Sequence, residues 1–86
     1  MLNLKPEIEC ADGVTLSVQA SAFHYCTPRN DIGPWTEFEV GFPSVCPPDS
    51  WKEYCEDWGR PTDTVYGRVP QELIWEFIEL HGGIKA

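Results

Sequence analysis

The sequence predicts an α+β fold: a small antiparallel β-sheet with a C-terminal α-helix packed on one face and a second short helix. Three observations carry this. Two segments alternate apolar and polar residues with a period of two, the mark of a half-buried strand. The last stretch of the chain switches to helical spacing. At 86 residues, roughly 64% of the unfolded surface is buried on folding, which supports one thin core rather than a core plus a deep cleft. A single domain, 1–86, follows.

Residues 4–10 and 14–20 read as a β-hairpin around Ala11-Asp12-Gly13, whose Asp-Gly pair is a turn signal. Val14, Leu16, Val18 and Ala20 alternate with Thr15, Ser17 and Gln19; Ile8 and Cys10 point inward and Glu7 and Glu9 outward. Phe23-His24-Tyr25 is a candidate extension of the sheet before the polar loop Cys26–Pro34. Thr36, Phe38, Val40 and Phe42 then alternate with Trp35, Glu37, Glu39 and Gly41, the clearest strand in the chain. Pro43 ends it, and Pro47-Pro48 stiffens the link that follows. Ser50-Trp51-Lys52-Glu53 has the capping-box form, so a short helix is expected from Trp51, ending before Gly59 and Pro61. Its inner face is Trp51, Tyr54, Cys55 and Trp58. Residues 64–69 form a short strand. Pro70 suits the first turn of a helix over Gln71–His81, with Leu73, Ile74, Phe77, Ile78 and His81 as its apolar stripe. Gly82 is a C′ residue, with Ile84 folding back on the last turn.

Fourteen acidic residues against six basic ones give a formal charge of −8. That argues against direct nucleic-acid binding, since phosphates need Lys and Arg to release their counterions. It argues for solubility and for a basic partner. No run of 18 or more apolar residues predicts a membrane span, and the N-terminal stretch lacks the apolar core of a signal peptide, so a cytosolic protein is expected. Cys10, Cys26, Cys46 and Cys55 are then expected as thiols.

Two groups of residues are candidates for binding. Glu72, Glu76 and Glu79 recur about once per helical turn and form a negative strip. Glu37 and Glu39 join Glu7 and Glu9 as a solvent-facing acidic sheet surface. Either set suits a basic groove, although a charge run also serves as a plain solvated face. The second group is the loop carrying Arg29, with Trp35 where the next strand begins; Arg and Trp both supply interface anchors. The bland alternative is a turn in which Asn30 and Asp31 bond their own backbone.

Chemistry of other kinds has little support. His24 and Cys26 are two apart, and Cys46 and Cys55 nine positions apart, spacings that match no zinc pattern. A Cys–His nucleophile would need a helix N-terminus or a cationic neighbour at its thiol, and Cys55 lies instead among Glu53, Glu56 and Asp57. No catalytic residue, metal ligand or cofactor is expected.

The segments Cys10-Ala11-Asp12-Gly13, Tyr25-Cys26-Thr27-Pro28-Arg29, Gly33-Pro34-Trp35, 39–44, 65–70 and His81-Gly82-Gly83-Ile84 resemble a group of small proteins of bacteriophages and prophages. The resemblance implies synthesis in a bacterial cytosol. Small acidic phage proteins are often inhibitors of host machinery, anti-CRISPR proteins among them. The expected function is therefore stoichiometric binding to a host protein with a basic surface, a nucleic-acid-handling defence complex. The alternative is a non-inhibitory phage accessory or virion component. The sequence leaves the oligomeric state open.

Overall fold

The computed structural model describes residues 6–85. Four antiparallel strands lie in the order in which they occur: β1 (Ile8–Glu9), β2 (Thr15–Gln19), β3 (Glu37–Gly41) and β4 (Val65–Pro70). A 3₁₀ helix, Asp49–Tyr54, precedes β4, and α1 (Gln71–Leu80) follows it directly. The α+β class read from the sequence is the observed one.

The hairpin turn forms where Asp-Gly predicts it. The Cys10 N–H donates to the Val14 carbonyl at 2.7 Å and the Gly13 N–H to the Cys10 carbonyl at 2.9 Å. The Asp12 carboxylate accepts the Val14 N–H at 3.1 Å and the His81 Nδ1–H at 2.8 Å. Those two bonds, the backbone one first, hold its carboxyl below the usual range.

β2 pairs with β3 through Ser17–Gly41, Val18–Val40 and Gln19–Glu39. β3 pairs with β4 through Phe38–Val69 and Val40–Tyr66, so Glu39 faces two residues, Gly67 and Arg68. This is a β-bulge, and Arg68 sits in it at φ 53°. β3 stops at Gly41. Phe42, expected to continue the inward set, takes φ 49° and turns out to solvent.

The core lies between the sheet and α1. Leu16, Val40, Tyr66 and Val69 from the strands are buried with Ile74, Phe77 and Ile78 from the helix. Val18, Phe38 and Leu73, expected at full depth, pack at its margin. Trp51 fills the centre. Its ring centroid is 5.5 Å from Tyr66, near edge-on, and 5.3 Å from Phe77. The Tyr66 hydroxyl escapes isolation by donating to the Pro61 carbonyl at 2.6 Å, and burial pushes its pKa far up.

The expected second helix forms as 3₁₀ rather than α. Its cap is Pro48, with no side-chain cap bond, so the Ser50–Glu53 capping box is not made. Pro47 and Pro48 hold the entering backbone extended, and by Cys55 the chain is extended again. Cys55 bridges Tyr66, and the Glu56 N–H donates to the Val65 carbonyl at 3.1 Å. This segment thus covers the outer edge of β4.

α1 begins at Gln71, one residue after Pro70, and ends in a Schellman motif. The Gly83 N–H bonds the Ile78 carbonyl at 2.9 Å and the Gly82 N–H the Glu79 carbonyl at 3.1 Å, with Gly82 at φ 90°. Ile84, expected to fold back on the last turn, runs alongside the end of β1. It bridges Cys10, while the Ala11 N–H bonds the Gly83 carbonyl at 2.8 Å and the Lys85 N–H the Glu9 carbonyl at 2.9 Å. The tail therefore covers the edge of β1, and both outer strands are shielded from further pairing.

Because Trp51 and Phe77 fill the space between the layers, Trp51→Ala or Phe77→Ala is expected to cost about 3–5 kcal/mol. Trp75→Ala, where only about half of the ring is covered, is expected to cost about 1–2 kcal/mol, clearly less than either. Urea unfolding followed by far-UV circular dichroism reads all three; equal losses at positions 51 and 75 would refute this core.

Candidate functional site

α1 turns Ile74, Phe77 and Ile78 inward. Helical spacing then sends Glu72, Glu76 and Glu79 outward, and all three are exposed. Among the described residues none of the three forms a salt bridge. Glu72 gains from the helix dipole in the first turn, whereas Glu79 in the last turn faces its negative end. Trp75 lies on the same strip with 53% of its surface exposed. Recesses flank this ridge. A cleft of about 190 Å³ is walled by Ile8, Val18 and Phe38 of the sheet and by Gln71, Ile74, Trp75 and Ile78. A hollow of about 240 Å³ lies among Pro48, Ser50, Trp51, Leu73, Glu76, Phe77 and Leu80. The helix thus presents a negative ridge with apolar ground on either side.

The second acidic set divides. Glu7 and Glu9 are exposed, and Glu9 pairs with Lys85 at 3.4 Å. Glu37 and Glu39 are half-buried rather than solvent-facing. Alternation puts them on the sheet face away from α1, but residues 20–36 fold back over that face. The Glu37 carboxylate accepts the Thr27 hydroxyl at 2.6 Å. The Glu39 carboxylate accepts the Tyr25 N–H at 3.2 Å and lies 4.0 Å from His24 Nε2. These two side chains fasten a loop. Residues 23–25, a candidate strand, are a turn within it, and only Thr27 bridges back to β3, at Glu37.

Arg29 and Trp35 have different roles. The Trp35 Nε1–H donates to the Asn30 carbonyl at 3.0 Å and its ring packs on the backbone of Gly33, so it shapes the turn. Asn30 also accepts the Ile32 and Gly33 N–H groups at 3.0 and 2.9 Å, its half of the backbone-bonding turn weighed from the sequence, whereas Asp31 accepts the Ala22 N–H at 2.9 Å across the loop. Arg29 is exposed, its guanidinium carbon 5.2 Å from the Tyr25 ring centroid. Arg68 reaches the same ring at 6.0 Å. Sequence reasoning singled out neither Tyr25 nor Arg68 as a contact residue. The signal available was Gly67, since a glycine inside a strand pattern marks a bulge or a close backbone approach. Here a Cβ on Gly67 would stand 3.3 Å from the Tyr25 Cβ.

One arrangement resembles a nucleophile. Ser21 Oγ and His24 Nδ1 share a hydrogen bond at 2.6 Å, with Glu39 beyond the other ring nitrogen. Ser21 is only 1% exposed, however, and its oxygen also accepts the Phe23 N–H at 3.0 Å. A nucleophile must meet substrate, and this hydroxyl is enclosed by the loop it braces. The thiols give no better candidate. Cys26 is buried, its single S–H within reach of the Ser21 and Pro28 carbonyls at 3.2 and 3.3 Å. Burial, then the Asp12 charge, raises the Cys10 thiol. Cys55 lies in the extended segment beside Tyr66 rather than in an acidic helix. Among the described residues no three His, Cys, Asp or Glu side chains are grouped to hold a metal ion.

Comparison with protein-family models, with curated proteins and with solved structures finds no match to the chain. Its class rests on what the fold itself defines: a small α+β domain with an acidic helix on one side of the sheet and a cation-bearing loop on the other.

The bracket role of Glu39 separates it from the ridge carboxylates. Glu39→Ala is expected to destabilise the chain by about 1 kcal/mol, the net worth of the bond it gives the Tyr25 N–H. Glu76→Ala is expected to change stability by less than about 0.5 kcal/mol. Chemical denaturation, with hydrogen exchange at Tyr25, checks both. A neutral Glu39→Ala with an unchanged Tyr25 amide would return Glu39 to the candidate binding residues.

Proposed function

We propose that this chain is a stoichiometric binding protein without catalytic activity of its own. It inhibits a nucleic-acid-handling complex in the bacterial cytosol by laying the α1 ridge in a basic groove of its partner. The observation that carries this reading is the exposure of Glu72, Glu76 and Glu79 without salt bridges among the described residues, in line with an exposed Trp75. Carboxylates about one helical turn apart offer repeated negative charge to cations that otherwise hold phosphates. Trp75 supplies the apolar anchor that charge alone lacks, and the flanking recesses give room for the partner's own apolar side chains. The resemblance to phage proteins points to a host defence complex, and hence to an anti-CRISPR-type inhibitor.

The test compares wild-type protein with Glu72→Gln/Glu76→Gln/Glu79→Gln as bait in a bacterial lysate. The wild type is expected to retain a nucleic-acid-binding protein, to lose it as salt rises, and to be displaced by nucleic acid. The triple variant, folded as well as the wild type because like-charge repulsion is relieved, is expected to bind roughly tenfold more weakly. Equal retention by both proteins, or a partner indifferent to nucleic acid, would overturn the proposal.

A further inference from the structure

The chain has six cations, and two of them meet at one ring. Arg29 and Arg68 both lie over Tyr25, and both are exposed. Among the described residues neither forms a salt bridge, although carboxylates outnumber cations fourteen to six in the chain. Chance contact in so acidic a chain favours the opposite outcome.

The cluster is also held in place by specific structure. Arg68 occupies the β-bulge at φ 53°, a conformation that side-chain-bearing residues rarely adopt. Its N–H bonds the Tyr25 carbonyl at 2.8 Å, and Gly67 beside it leaves room for the Tyr25 side chain. The same loop leaves Phe23 and Ile32 largely exposed, at 65% and 86%. The result is a pair of exposed guanidinium groups on an aromatic ring, on the side of the sheet opposite α1, with the half-buried carboxylates of Glu37 and Glu39 engaged beneath the loop.

We propose that this surface receives the acidic helix of a second copy of the chain. Glu72, Glu76 and Glu79 with Trp75 on one molecule dock against Arg29, Tyr25 and Arg68 on the next. Charge complementarity selects this occupant, for the chain itself carries both halves. Guanidinium groups pair with carboxylates, and an indole ring suits a neighbourhood of exposed aromatics. The net charge of −8 opposes association, but at physiological salt whole-molecule repulsion is screened beyond about 8 Å, so local pairing decides. The two surfaces are different and face opposite ways, so the contact is head-to-tail and open-ended. This association does not rest on the foreign partner proposed above. It uses the same ridge, and so competes with that partner.

Sedimentation velocity of the full chain, from micromolar to near-millimolar concentration at physiological salt, tests the idea. The weight-average mass of the wild type is expected to rise with concentration and to fall back at high salt. Arg29→Gln/Arg68→Gln alone and Glu72→Gln/Glu76→Gln/Glu79→Gln alone are each expected to remain monomeric. An equimolar mixture of the two is expected to form a 1:1 dimer and nothing larger, because one intact ridge then meets one intact patch. If the Arg68 change prevents folding, Arg29→Gln alone is expected to weaken association in the same direction. A wild type that stays monomeric would overturn the proposal, as would variants that associate like the wild type or a mixture that stays monomeric. A monomeric wild type leaves foreign-partner binding by the ridge intact. Loss of that partner with self-association preserved refutes only the earlier reading.

Discussion

Trp51 stands between Tyr66 of the sheet and Phe77 of the helix, its ring centroid 5.5 Å from one and 5.3 Å from the other. Both layers of this thin molecule are joined through that contact. A 3₁₀ turn of six residues has little stability of its own, and its place is set by the burial of one indole. Once Phe77 is fixed against Trp51, the rotation of α1 is fixed as well. Ile74 and Ile78 must face the sheet, and Glu72, Trp75, Glu76 and Glu79 must face away. The exposure of the ridge is thus a consequence of packing beneath it. Phe77 also contacts the His81 ring at 4.8 Å, and His81 reaches Asp12, so the same helix face leads on to the β1–β2 turn.

Charge is unevenly placed around this frame. The carboxylates of β3 are spent on the loop that covers them, whereas those of α1 are left free for solvent or a partner. Arg29 and Arg68 gather on the loop side, away from α1. The molecule therefore has two unlike faces, although its net charge gives it one sign. A description by net charge alone would miss the surface on which Arg29 and Arg68 meet.

Local pattern carried much of the fold. The alternation around Leu16 and Val40, the Asp12-Gly13 turn, and the spacing of Ile74, Phe77 and Ile78 each depend on near neighbours, and each is realised. The outward direction of Glu72, Glu76 and Glu79 follows from the same helical spacing. What the sequence did not reveal was non-local. Alternation assigns Glu37 and Glu39 to a face, but it does not say that residues 20–36 return to cover that face. The capping-box pattern at Ser50 is a local preference. It yields to the Pro47-Pro48 approach and to the demand that Cys55 run beside Tyr66. The meeting of Arg29 and Arg68 joins positions far apart in the chain, and only Gly67 hinted at it.

Trp51, not Trp75, is the indole seated between sheet and helix, so that Trp75 and the ridge carboxylates share the open face. Nuclear Overhauser spectra of the full chain at physiological salt measure this directly. Contacts are expected from the Trp51 ring to both the Tyr66 and Phe77 rings, and none from Trp75 to either. Contacts of Trp75 with Tyr66 or Phe77, or a Trp51 ring without them, would mean that α1 is turned the other way and that the acidic ridge is not where this structure puts it.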